Sequence, residues 1–125
     1  MKIAIDFDGT CVSHEYPLVG NDIGSIPVLK KLVESGNKLI LYTMCSGTTL
    51  IDAINWFKEN DIQLYSIQKD KGQERWTTSN KCYAELYIDD AALGCPLIFD
   101  IEISDRDFVD WKKVRELLVL SGYIK

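Results

Sequence analysis

The sequence lacks any apolar run that approaches the roughly 20 residues of a membrane-spanning helix. Its first apolar stretch meets the charged Asp6 after only a few residues, which is too early for the core of a signal peptide. The four cysteines form neither a Cys-x-x-Cys pair nor a metal-finger spacing, a pattern typical of free thiols in a reducing compartment. We therefore expect a cytoplasmic protein.

Basic residues are also in the minority. The chain has 14 Lys and Arg against 19 Asp and Glu, giving a formal net charge of −5. Nucleic acid and anionic membrane surfaces select basic proteins, so both are disfavoured as partners. The 125 residues, 46% of them hydrophobic, suffice for one domain with a buried core. No repeat, low-complexity tract or linker divides residues 1–125.

Short apolar runs alternate with helical patterns along the chain. The runs predict buried strands at 2–7, 38–42, 62–67 and 84–88, and a weaker fifth strand at 96–99. Helical stripes are predicted from Ser25 to Gly36, from Thr48 or Thr49 to Phe57, and from Phe108 to Leu120. Strands that alternate with helices predict an α/β fold with a parallel central sheet.

Reactive side chains follow three of these strands. Asp6 and Asp8 follow the first, Thr43 the second, and Asp89 and Asp90 the fourth. Ligand sites in parallel sheets lie at the carboxyl ends of the strands, so these groups are expected to converge. Four converging carboxylates repel one another unless a cation lies among them, and hard oxygen ligands suit Mg²⁺. Thr43, together with Lys81 before the fourth strand, would add donors for a phosphate group.

These segments resemble the haloacid-dehalogenase-like (HAD) phosphohydrolases. Asp6-Phe7-Asp8-Gly9-Thr10 matches the DxDGT motif that opens this family. The strand ending at Thr43, the residue Lys81 and the pair Asp89-Asp90 resemble its second, third and fourth motifs, in the family's order. The resemblance covers residues 1 to about 95. It implies a Rossmann-like three-layer sandwich, and the spacing between motifs leaves no room for an inserted cap domain.

The resemblance implies a Mg²⁺-dependent phosphatase acting on phosphomonoesters. Asp6 would be the nucleophile that forms an aspartyl-phosphate, and Asp8 would be the general acid and then the general base. Thr43 and Lys81 would hold the transferring oxygens. Mg²⁺ would be bound by Asp6, Asp89 and the backbone carbonyl of Asp8, with Asp90 as a ligand or as the partner of one.

Several assignments around the site stay open. Lys69 and Lys71 are alternatives to Lys81, because the interval from Lys81 to Asp89 is shorter than in many family members. Cys11, Cys45 and Cys82 each lie next to or close behind a motif residue. The only histidine, His14, is expected to be a flap or substrate contact. A site without a cap is expected to take a bulky phosphorylated substrate or to be covered by a neighbouring subunit in a homo-oligomer.

Two alternatives from other functional classes are considered. A phosphoacceptor receiver domain has the same length and also uses Asp, Thr and Lys with Mg²⁺. Its motif order differs, because its acids are adjacent after the first strand and its lysine comes last. A noncatalytic HAD-like binding protein is the other alternative, and the intact acidic set argues against it. The substrate itself is not identified by the sequence.

Overall fold

The computed structural model describes all residues from Met1 to Lys125. Its elements, in chain order, are β1 (Lys2–Ile5), α1 (Ser25–Glu34), β2 (Lys38–Leu41), α2 (Gly47–Glu59), β3 (Leu64–Ile67), β4 (Leu86–Ile88), β5 (Leu97–Ile98), β6 (Phe108–Val109) and α3 (Trp111–Leu120). A short 3₁₀ turn, Gln73–Arg75, lies between β3 and β4. No helix has the length and apolar character needed to cross a membrane.

Four parallel strands form the central sheet in the order β3-β2-β1-β4. The central strand β1 is continuously apolar because a strand paired on both sides and covered on both faces meets no water. Its register places Ala4 beside both Ile40 of β2 and Tyr87 of β4. The predicted α/β fold with a parallel central sheet is therefore confirmed.

The two faces of the sheet are covered differently. Alternate strand residues such as Ile3 and Leu39 pack into the main core, which also contains residues of all three helices. The opposite face carries Ala4 and Ile40, which pack with Cys82 from the segment between β3 and β4. Helices, sheet and that segment (residues 68–85) form the three layers of the sandwich. No cap domain is present.

The C-terminal part departs from the predicted elements. The weak strand expected at 96–99 is β5, and it pairs antiparallel with β6 instead of joining the central sheet. The helix expected from Phe108 begins at Trp111, because Asp110 caps it by accepting a hydrogen bond from the Lys113 backbone N–H. The central strands are also one to two residues shorter than the apolar runs that predicted them.

The β5–β6 hairpin and α3 support the loop that follows β1. The Val109 backbone N–H donates to the carbonyl of Gly9 at 3.0 Å. The indole Nε1 of Trp111 donates to the carbonyl of Thr10 at 2.7 Å, and this bond is buried. The main chain of residues 9 and 10 is thus fixed by a segment about one hundred residues further along the chain.

Candidate functional site: an acidic cluster at the carboxyl edge of the sheet

The site begins where β1, β2 and β4 end. The strand pairing ends at Ile5, which lies beside Leu41 and Ile88, so Asp6, Tyr42 and Asp89 are the next residues after the three strands. Because side chains alternate along a strand, these three follow the face that carries Ala4 rather than the helical face. The parallel register alone therefore brings Asp6 and Asp89 together.

Three carboxylates converge at this edge. One oxygen from each of Asp6, Asp89 and Asp90 lies within 4.8 Å of the other two. All three residues are half-buried. Such a set of hard oxygen donors fits a divalent cation such as Mg²⁺, which prefers carboxylates, carbonyls and water. The predicted ligands Asp6, Asp89 and Asp90 are thus placed around one point.

Thr10 connects the first and last motifs. Its Oγ1 donates to Asp6 Oδ2 at 2.8 Å and accepts a hydrogen bond from the Asp90 backbone N–H at 3.0 Å. Thr10 is fully buried, so both bonds are shielded from water. The threonine of the DxDGT motif therefore sets the position of Asp6 relative to the Asp89-Asp90 turn.

Gly9 allows the loop to close over this arrangement. Its φ of +79° lies in the left-handed region, which side chains rarely adopt. A Cβ at this position would also collide with the imidazole of His14 and with the Asp90 carboxylate. The side chains of His14 and Asp90 occupy the space that the glycine leaves, and a hydrogen bond of 2.7 Å joins His14 Nε2 to Asp90 Oδ2. His14, expected as a flap or substrate contact, forms a hydrogen bond with a carboxylate of the site.

The environment of Asp6 opposes its ionisation. Burial raises its pKa to about 7, and the neighbouring carboxylates Asp89 and Asp90 add to the rise. The hydrogen bond from Thr10 opposes this shift but is outweighed. A cation among the three carboxylates would reverse the balance, because it favours the ionised form of each. The electrostatics of the cluster thus fit a bound metal ion.

Asp8 stands apart from the three converging carboxylates. Its Oδ2 accepts a hydrogen bond from the thiol of Cys45 at 3.3 Å. Cys45 is buried, and this burial, with the nearby Asp8 carboxylate, raises the pKa of the thiol. The thiol therefore remains a neutral donor. Asp8 was expected to contribute its backbone carbonyl to the metal, so the position of its side chain does not bear on that expectation.

Cys11 contacts the nucleophile candidate through the main chain. Its thiol donates to the carbonyl of Asp6 at 3.2 Å, and burial raises its pKa well above the ordinary value. Cys82 is also buried, but it packs with Ala4 on the face of the sheet that the helices do not cover. All four cysteines are free thiols, as expected.

Thr43 is held by a residue that sequence reasoning missed. The side-chain amide of Gln68 accepts from the Thr43 backbone N–H at 2.9 Å and donates to the Thr43 carbonyl at 2.8 Å. The Thr43 hydroxyl accepts from the Cys45 backbone N–H at 3.1 Å. The signal for Gln68 was weak, since it is one polar residue directly after an apolar strand.

The lysines lie outside the contacts of the cluster. Lys81 is exposed, and its Nζ lies 5.5 Å from the centre of the Tyr87 ring. Tyr87 precedes Asp89 by two residues on the same face, so Lys81 is on the side of the sheet that carries the acids. Lys71 lies over Tyr65, and Lys69 donates to the carbonyl of Ser79. None of the three forms an ion pair with a carboxylate.

Comparison with known proteins shows that the chain is similar to one solved structure. No protein-family model and no curated protein matches the sequence. A conserved protein from Bacteroides thetaiotaomicron, known from its structure, matches 97% of this chain and 91% of its own length. The two share 33% sequence identity, and their superposition has a TM-score of 0.79. This chain therefore belongs to the same family as that conserved Bacteroides protein.

Proposed function

We propose that the protein is a Mg²⁺-dependent phosphomonoester hydrolase of the HAD type, acting through an aspartyl-phosphate. The observation that carries the proposal is the convergence of Asp6, Asp89 and Asp90 around one point. These acids lie at the carboxyl edge of a parallel sheet, which is where ligands bind in such folds. The DxDGT motif supplies the specific chemistry.

Asp6 is the proposed nucleophile. Thr10 occupies its Oδ2, so Oδ1 is the oxygen left to attack phosphorus. Attack forms the Asp6–phosphorus bond as the bond from phosphorus to the leaving oxygen breaks. Splitting one displacement into two steps is the advantage of covalent catalysis. Bound Mg²⁺ would neutralise charge on the phosphoryl oxygens and keep Asp6 ionised.

Asp8 is the proposed proton carrier. It donates a proton to the leaving oxygen in the first step and removes one from the attacking water in the second. Water then forms a bond to phosphorus, the Asp6–phosphorus bond breaks, and inorganic phosphate leaves. Cys45 holds the Asp8 carboxylate by a single weak hydrogen bond, which leaves its other oxygen available.

Thr43 and Lys81 are proposed to bind the transferring phosphoryl oxygens. Gln68 fixes the main chain of Thr43 from both sides, so the threonine is positioned before substrate arrives. Lys81 is exposed and unpaired on the face that Asp6 and Asp89 share, so its flexible stem can bring the ammonium group toward a bound phosphate.

The position of the phosphorylated residue tests this mechanism. Asp6→Asn should abolish hydrolysis and form no phosphoenzyme. Asp8→Asn retains the nucleophile, so a substrate with a good leaving group should trap phosphate on Asp6. Each proton-transfer role is worth about 10²–10⁴-fold, which predicts slow release of this intermediate.

Mass spectrometry of the trapped Asp8→Asn protein then distinguishes the alternatives. Phosphate on Asp6 supports the phosphatase. Phosphate on another aspartate would indicate a receiver-like domain. No phosphoenzyme and no hydrolysis of any phosphomonoester would indicate a noncatalytic binding protein. Asp105→Asn, at an exposed acid, is the matched control and should behave as the unchanged protein.

A further inference from the structure

A surface cavity lies in the layer that covers the second face of the sheet. Its volume is about 350 Å³, and it is lined by Trp76, Thr77, Ser79, Lys81, Cys82, Tyr83, Ala84 and Tyr87. A larger groove of about 420 Å³, between α2 and β3, contains none of the site acids. We call the first cavity the aromatic pocket.

Exposed rings give the aromatic pocket its character. Trp76 is 65% exposed, although tryptophan is normally among the most buried side chains. Its ring meets the edge of Tyr83 at 5.9 Å between centroids and an angle of 83°. The Tyr87 ring is fixed because its hydroxyl donates to the Cys82 carbonyl at 2.6 Å. Trp76 thus offers exposed aromatic surface to a planar partner, beside a Tyr87 ring that is fixed.

The hydroxyls of the aromatic pocket retain protons to donate. Thr77 Oγ1 accepts from the Ser79 backbone N–H at 3.1 Å, and Ser79 Oγ accepts from the Lys81 backbone N–H at the same distance. Neither hydroxyl donates to another protein group. A ring with nitrogen or carbonyl acceptors at its edge can use both donors, whereas a plain phenyl ring can use neither.

The aromatic pocket shares a residue with the proposed phosphate site, because Lys81 is part of its lining. Tyr87 lines the pocket and lies two residues before Asp89 on the same face, a separation of about 7 Å along the strand. A ring in the pocket and a phosphate held by Lys81 at Asp6 would then be parts of one molecule, with a sugar joining them.

We propose that the aromatic pocket binds the base of a nucleoside monophosphate, whose phosphate is the group hydrolysed at Asp6. The substrate class rests on the proposed function, but the base-binding role of the pocket does not. A single nucleotide fits better than the end of a polynucleotide, because the chain carries a net charge of −5.

Free nucleosides test the aromatic pocket without catalysis, since they carry no phosphate. Adenosine or uridine should shift the indole N–H signal of Trp76 saturably in ¹⁵N-labelled protein, while the signal of Trp56 stays unchanged. Trp76→Ala should weaken nucleoside binding at least fivefold. Leu120→Ala removes a still more exposed apolar group from α3 and should leave binding unchanged. Unshifted Trp76, or equal binding by Trp76→Ala, would overturn the base-binding role.

Kinetics test the substrate class. Trp76→Ala should lower kcat/KM at least fivefold for adenosine and uridine monophosphates, and by less than twofold for glycerol phosphate. Tyr83→Ala is a second variant at the same pocket. An equal loss for all substrates, or faster hydrolysis of glycerol phosphate or a phosphotyrosine peptide, would refute the nucleotide assignment. Nucleoside binding without hydrolysis of any ester would support the pocket and refute the phosphatase.

Discussion

The side chain of Gln68 brackets Thr43 by accepting from its backbone N–H and donating to its carbonyl, at 2.9 and 2.8 Å. The two residues lie at the ends of the adjacent parallel strands β3 and β2. The Gln68 side-chain amide thus adds one more pair of hydrogen bonds between the chain segments that form β3 and β2, beyond their main-chain pairing. Gln68 adopts a φ of +68°, a conformation that non-glycine residues seldom take.

Replacing Gln68 by alanine should loosen Thr43. The loss of two side-chain hydrogen bonds should cost about 1–2 kcal/mol of unfolding free energy, and kcat for phosphomonoester hydrolysis should fall about tenfold. Thermal unfolding and steady-state kinetics measure the two effects. Gln63→Ala, at an exposed glutamine before β3, is the control and should change neither. Unchanged kcat in Gln68→Ala would show that Thr43 needs no such support.

Divalent metal should stabilise the protein through the acidic cluster. At a free Mg²⁺ concentration 100 times its dissociation constant, the unfolding free energy should rise by about 2.7 kcal/mol. Asp89→Asn should remove most of this gain, whereas Asp105→Asn should retain it. Thermal unfolding with and without Mg²⁺ provides the measurement, and EDTA should abolish hydrolysis. Full activity in excess EDTA would contradict the metal assignment.

The metal-free protein should lose stability as the pH rises from about 4 to 7. Burial raises the pKa of Asp6 from its ordinary value of 3.8 to about 7, so the folded state retains a proton that the unfolded state releases. The stabilisation from Asp6 is complete below about pH 4 and is lost as the pH approaches 7.

Unfolding midpoints measured in EDTA between pH 4 and 7.5 test whether stability falls as the pH rises. Asp6→Asn keeps a neutral side chain at every pH, so the variant should be more stable than the unchanged protein at pH 7.5. Asp6→Asn should also lack the loss of stability between about pH 4 and 7 that the titration of Asp6 causes. If the stabilities of the metal-free unchanged protein and of Asp6→Asn rose equally from pH 4 to 7, that result would contradict a raised pKa of Asp6.

The thiols beside the site should resist alkylation. Cys11, Cys45 and Cys82 are buried, and their pKa values are raised chiefly by burial, so little thiolate is available. Burial raises the pKa of Cys95 as well, so exposure decides the order: iodoacetamide at pH 8 should modify the half-exposed Cys95 first and the others only after unfolding. Peptide mass spectrometry follows each site. Modification of Cys45 as fast as Cys95 would show that the loop around Asp8 opens readily.

The parallel sheet and its helices could be predicted because apolar periodicity and the turn residues agree along residues 1–67. After residue 95 the predicted strand and helix are present as β5 and α3. The antiparallel pairing of β5 and the short strand β6 were not predicted, because apolar and acidic residues alternate irregularly there. Phe108 and Val109 fit the apolar stripe of α3, and only the cap at Asp110 separates them from it. Periodicity cannot distinguish a two-residue strand from the first turn of a helix.

The convergence of Asp6 and Asp89 was predictable because both follow buried parallel strands. The side-chain contacts that hold the cluster were not. Gln68, His14 and Cys45 reach their partners across 25, 76 and 37 residues. Such pairings depend on rotamers and loop paths, which no local pattern encodes.

The bond from Trp111 to the Thr10 carbonyl spans 101 residues, and it has a consequence for the order in which the protein matures. Translation delivers Asp6 and its loop about one hundred residues before the anchoring indole. While the ribosome is still making β5 and β6, the loop lacks both of its distant main-chain partners. The acidic cluster is therefore expected to gain its final shape, and with it any affinity for metal, only after Trp111 has been made and α3 can fold.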